Sequence, residues 1–306
     1  MATLVAAMAF GLLLTGALVT FRNGVAVPPW PTFAPLHQPP AGSVEHQGIF
    51  SIVAGLTGAL SLILTVWAWA TRREDRVKVL AGFMTLSVFA LPLLSLTRFP
   101  SSLPAMQPIL YSCVAQGFFS LTICLALFTR TNWNWDQSRT PETSRPSLRQ
   151  LAVFTTVAAF CESLLGVVIR SRSVGTHLVL GIALTMCTLW MLEIAFDRYP
   201  EVPGLKAPAV VLAEVVVLEV FIGIFAHSMK LDAPSGPQQA PGLAVVSTTH
   251  AAVGALALGA SLFLTFQSFK YLAPAREAVS LQRSAISLQP SAVSKENAKH
   301  DSLAEG

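Results

Sequence analysis

Four side chains able to ligate a metal ion stand at or near the starts of apolar runs: His46, Tyr111, His177 and His250. An imidazole inside a membrane span is costly without a partner, so such a histidine is by default a candidate functional group. His46 and Tyr111 lie 65 residues apart, and His177 and His250 lie 73 apart, so each half of the chain carries one two-ligand set at matching spacing. Two imidazoles level with each other on facing helices can coordinate one haem iron from both sides, because bundle cofactor sites are built from inward side chains on neighbouring helices. The competing reading for each histidine is a helix-start cap or a bond to a loop carbonyl. His37 and His300 read as solvated residues. His227, ending the seventh run, reads as a snorkelling interfacial group or a partner for a propionate.

The elements that must position these side chains follow from composition. Of 306 residues, 53% are hydrophobic and 12% charged, about half the charged share of a soluble domain, which excludes a soluble enzyme. A helical span needs about 20 consecutive apolar residues. Eight such runs occur: Ala2 to Phe21, Gln47 to Ala70, Val79 to Thr97, Pro108 to Phe128, Leu151 to Ile169, Val174 to Phe196, Ala207 to Ala226 and Val246 to Phe269. The first lacks a basic n-region and a clear cleavage site, so it reads as a retained span. The fold class expected is all-α, polytopic in a membrane, with eight helices in two pseudo-symmetric four-helix bundles.

Orientation follows from the loops. Fifteen Lys and Arg fall on one side and five on the other, namely Arg22, Arg98, Arg170, Arg172 and Lys230. That asymmetry places both termini in the cytoplasm and the four ligand-type residues near the opposite face. The stretch Arg22 to Glu45, rich in Pro and aromatics, is expected to cap that face, and the chain beyond Ala273 is expected to be a disordered tail. The formal charge of +4 is too small and its cations too scattered for nucleic acid to be a partner. Cys113, Cys124, Cys161 and Cys187 all fall inside apolar runs without CxxC spacing, so they read as packing residues.

An internal duplication supports the two-bundle reading. Leu14 to Arg22 resembles Leu164 to Arg170, each a span end running from Gly into Arg. Setting Val114 against Val253 puts Tyr111 opposite His250. The expected division is 1–129 for one half, 130–150 for a cytoplasmic linker, 151–272 for the other half and 273–306 for the tail. Glu162 and Glu219 lie mid-run, each four residues before a Gly. Such a carboxylate serves a proton path, or is a neutral acid bonding a neighbouring helix across a small-residue interface, the reading favoured here. The outer arginines match haem propionates or lipid headgroups equally well.

These residues resemble the haem A synthase family of cytochrome oxidase assembly. Thr15 to Thr20, Gly24-Val25-Ala26-Val27-Pro28 and Trp30-Pro31 resemble its first span and outer loop. Glu45-His46 resembles its second-span signature, and Cys113 to Gln116 with Phe118-Phe119 its fourth span. Gly175-Thr176-His177-Leu178-Val179 and Thr249-His250-Ala251-Ala252-Val253-Gly254-Ala255 resemble its sixth and eighth. The resemblance implies haem b as cofactor in the C-terminal half, held by His177 and His250, with Arg170 and Arg172 as cofactor-binding residues. It implies haem O as substrate in the N-terminal half, with His46 as an iron ligand and Glu45, His46 and Tyr111 as catalytic residues. The implied reaction oxidises a methyl of haem O to the formyl of haem A.

The implied setting is the bacterial cytoplasmic membrane, with haem sites near the periplasmic face. Implied partners are membrane lipid, a haem O synthase or cytochrome oxidase, and further copies of the chain. The sequence differs from the family pattern in having Tyr111 where a His is usual, Gln47-Gly48 after His46, and Pro29 where Asp is common. Tyr111 either ligates ferric haem as an anion or lines the pocket. Two other classes fit the same features: a haem-binding electron-transfer protein without methyl oxidation, and a transporter built on the repeat.

Overall fold

The computed structural model describes residues 1–23, 44–71, 74–97, 106–130, 133, 139–168, 174–232 and 241–274. They form eight helices: α1 (Ala2–Asn23), α2 (Val44–Ala70), α3 (Asp75–Leu96), α4 (Met106–Phe128), α5 (Leu148–Val168), α6 (Val174–Asp197), α7 (Pro203–Asp232) and α8 (Pro241–Tyr271). Each is long and apolar enough to cross a membrane, and the protein is an all-α polytopic membrane protein. Large apolar side chains such as Leu93, Val179 and Phe221 face outward, as lipid in place of water permits.

Helices α1 to α4 close a ring in which each packs on the next and α1 returns to α4, and α5 to α8 close a second ring in the same way. The rings meet through α1, α4, α5 and α8. One apolar core runs from Val5 and Phe50 through Met84 to Leu125 and takes in Ala255 of α8, while a second is centred on Leu148, Met191, Leu212 and Leu264. Hydroxyl side chains inside these cores return to the carbonyl one turn back, as Thr57 does to Val53 and Thr155 to Leu151, which satisfies them without water. Two hydroxyl pairs tie helices together, Thr65 to Thr85 across α2 and α3 and Thr156 to Thr265 across α5 and α8, each at 2.9 Å.

Helix α7 runs past its apolar stretch to Asp232, and α8 begins at Pro241, ahead of the expected start at Val246. His227 therefore lies inside α7 instead of ending it, and His250 is in the third turn of α8 and not within the first two turns that its apolar run suggests. At α7 consecutive i to i−4 hydrogen bonds continue past the first polar side chain, where a hydropathy count stops, and at α8 the added residues 241–245 are themselves apolar and simply extend the span. The expected linker also ends early, since 148–150 already belong to α5.

The described part of that linker is folded. Thr140 and Pro141 pair in parallel with Leu272 and Ala273 just past α8. The buried Glu142 carboxylate accepts the Arg149 N–H at 3.0 Å and the Ser147 hydroxyl at 2.8 Å, capping α5. The Tyr199 hydroxyl accepts the backbone N–H groups of Thr143 and Ser144. Arg149 lies over the Phe269 ring, 4.1 Å from its centroid. Gly204 closes this corner, because a Cβ there would overlap the Tyr271 ring. Gly204→Ala is expected to cost about 1–3 kcal/mol by overpacking. The check is the thermal midpoint of the detergent-solubilised protein, which should fall and be partly restored by adding Tyr271→Ala; an unchanged midpoint would show that the corner yields freely.

The outer loop at 24–43 and the tail beyond 274, for which a cap and disorder are expected, lie outside the described residues.

Candidate functional site

In the second ring, each helix contributes one polar side chain to the end of the bundle where α6 and α8 begin: Glu162 from α5, His177 from α6, Glu219 from α7 and His250 from α8. His177 and His250, 73 residues apart in sequence, come together with ring centroids 6.0 Å apart and planes at 80°. The Oε1 of Glu162 lies 2.7 Å from Nδ1 of His177, and their side chains are 8% and 24% exposed. The approach is that of an ion pair, with the ring N–H not aligned for a linear hydrogen bond. Glu219 is within electrostatic reach of both Glu162 and His177.

Glycines make room for this group. His177, Glu219 and His250 are each followed four residues later by a glycine on the same helix face: Gly181, Gly223 and Gly254. Each glycine serves the helix opposite. A Cβ at Gly181 would stand 3.3 Å from Oε1 of Glu162, one at Gly223 would stand 2.9 Å from Cε1 of His250, and one at Gly254 would stand 2.7 Å from Oε1 of Glu219. Helices α7 and α8 thus interlock, the α7 carboxylate lying on an α8 glycine and the α8 imidazole on an α7 glycine. Gly166, the glycine four residues after Glu162, faces open space. The repeated Glu-to-Gly spacing is real in the sequence, but the partner of each carboxylate is on another helix.

Whether the histidine pair suits a metal can be judged from its separation. An imidazole nitrogen sits about 2 Å from a bound first-row metal ion, so two rings ligating one iron from opposite sides have centroids about 6 Å apart, the spacing found. Trans ligation leaves each ring free to turn about its own metal bond, so an angle of 80° is compatible with it. Nδ1 of His250 and Oε2 of Glu162 are buried without a hydrogen-bond partner, so the site retains polar capacity that its own residues do not use. Among the described residues, no group of three or more His, Cys, Asp and Glu is gathered to hold a bare metal ion. The donor set is therefore a facing imidazole pair, which suits a metal that brings its own equatorial ligands.

The first ring differs. His46, in the first turn of α2, has its Nε2 at 3.2 Å from the Arg22 guanidinium at the end of α1, while its Nδ1 is buried without a partner. An arginine can only donate, so Nε2 is an acceptor here, and one of the two nitrogens that could ligate is engaged by a cation. Tyr111 is buried near the start of α4. Glu45 lies in α2 by its backbone, and its side chain, with Arg98, Arg170 and Arg172, lies outside the described residues. Gln116 of α4 has a buried side-chain oxygen without a partner, a polar group that the sequence reading noted only as part of a motif. The cysteines are free, with Cys124 buried among packing residues.

No protein-family model matches the chain, and no curated protein matches it.

Proposed function

We propose that this chain is a membrane oxidoreductase of the haem A synthase type, with haem b held between His177 and His250 and haem O as its substrate in the first ring. The observation that carries the haem reading is the pair of imidazoles from α6 and α8 at 6.0 Å, packed in an apolar bundle where a histidine is by default a candidate functional group. The resemblance over residues 10 to 272 extends it to the substrate and the reaction. His177 and His250 bind and orient the cofactor, the surrounding apolar helices exclude water, and Arg170 and Arg172 are assigned to its propionates. Haem b, when bound, supplies a one-electron carrier next to the substrate half. Glu45, His46 and Tyr111 would hold the substrate, with His46 as the residue assigned to its iron. The Lys and Arg asymmetry supports an orientation with both termini in the cytoplasm, and the resemblance supports a bacterial cytoplasmic membrane with the haem sites toward the periplasm.

A second reading is a haem b protein for electron transfer that performs no methyl oxidation. The Arg22 contact on His46 and tyrosine at position 111 favour it, since both weaken iron ligation in the first ring. Expression in cells that supply haem O, followed by pigment extraction from the purified protein, separates the two. Haem A in the extract supports the synthase, haem b alone supports the carrier, and a colourless protein from haem-replete cells rejects both.

A further inference from the structure

We propose that Glu162 is a positioning residue for His177: its carboxylate stands against Nδ1 and sets the ring's rotation, so that Nε2 would be the nitrogen offered to haem. The inference rests on the haem reading above and deepens it at a residue that reading does not use. Its basis is the 2.7 Å approach of Oε1 to Nδ1 by a carboxylate that is 8% exposed. A buried acid is expensive in a membrane helix unless something engages it, and His177 is the side chain that does. The approach is built for, because Gly181, one turn past His177 on α6, leaves space for the same oxygen; a methyl group there would stand 3.3 Å from it.

Metal-binding histidines commonly present their second nitrogen to a carboxylate, which raises the basicity of the ligating nitrogen and stabilises the more oxidised metal. In this chain the arrangement is one-sided. Among the described residues only His177 of the two has a carboxylate within ion-pair distance, so α6 would supply the more basic of the two imidazoles.

The test compares purified wild type with Glu162→Gln, Glu162→Ala and Glu162→Asp by haem titration and by redox titration of the b-type absorbance. Glu162→Gln is equal in size and keeps an acceptor, so it should retain the six-coordinate low-spin spectrum while its midpoint potential shifts upward. Glu162→Ala frees the ring and should lose haem affinity by about 10- to 100-fold, and Glu162→Asp should recover part of it. A wild type that binds haem, beside Gln and Ala variants with unchanged potential and affinity, overturns the role of Glu162 and leaves haem binding intact. A wild type without b-type absorbance overturns the reading beneath it. Should Glu162→Ala fail to fold, the isosteric Gln variant alone decides, through its potential.

Discussion

With haem b held as proposed, replacing His250 by alanine is expected to remove a six-coordinate low-spin b-type signal from the reduced-minus-oxidised spectrum of the purified protein, leaving either a high-spin species or no pigment. The same is expected of His177→Ala. The two rings stand 6.0 Å apart, so among the described residues each is the one imidazole that would ligate from its own side, and loss of either would leave a one-sided site. Because His250 is the more deeply set and its ring is backed by Gly223, its loss should expose more empty volume and release the pigment more completely. His177→Ala leaves Glu162, already buried, without its contact, which costs stability in addition to the ligand. The spectra, with the haem-to-protein ratio after gel filtration, provide the check. A variant that keeps the wild-type low-spin signal would show that the iron is held elsewhere.

The second large effect is expected at the glycines, where a single methyl group separates three cases. At Gly223 the added Cβ would lie 2.9 Å from Cε1 of His250. A ring carbon held between two helices cannot step aside without moving the whole imidazole, so Gly223→Ala should cost about 1–3 kcal/mol and disturb the spectrum. At Gly254 the neighbour is Oε1 of Glu219 at 2.7 Å, the free end of a flexible side chain. Gly254→Ala should therefore cost less, and Gly254→Val more, since the larger side chain blocks the carboxylate's alternative rotamers. Gly166 meets nothing within 4 Å, so Gly166→Ala should be neutral or stabilising by up to about 1 kcal/mol through helix propensity. Thermal unfolding in detergent with absorbance monitored at the haem band orders the three. Equal effects at Gly223 and Gly166 would show that the α7–α8 contact does not constrain the imidazole.

Much of this architecture is legible in the chain because a lipid solvent simplifies the code. Eight runs of apolar residues announce eight helices, since no other backbone conformation satisfies its own polar groups across a bilayer, and the runs agree with helix centres to within a few residues. The ends are less legible. Asp75 and Lys78 begin α3 and Asp232 ends α7, and a charged side chain can leave the apolar zone while its backbone remains helical.

Within the site, the histidines are legible as residue types at matching depths, but their contacts depend on how each helix is rotated about its axis, which no one-dimensional spacing records. Glu162 and Glu219 illustrate the difference. Their shared spacing to glycine is visible in the sequence, yet Glu162 reaches a histidine on α6 and Glu219 lies on a glycine of α8. Arg22 and His46 are likewise a contact formed by two helix ends across a long intervening segment.

Helix α8 belongs to both rings. Its Ala255 is part of the apolar core of the first, a Cβ at its Gly259 would stand 2.9 Å from Cδ1 of Ile123 on α4, and beyond it the Phe128 and Phe266 rings meet edge to face at 5.0 Å. The duplication is consequently not modular. Separating the halves between α4 and α5 would expose α1 and α4 along the seam that α8 normally fills, and the first would lose part of its interior while the second keeps a core made of its own residues. Any engineering that grafts one of these bundles onto another scaffold has to carry α8 with it, whichever bundle is wanted.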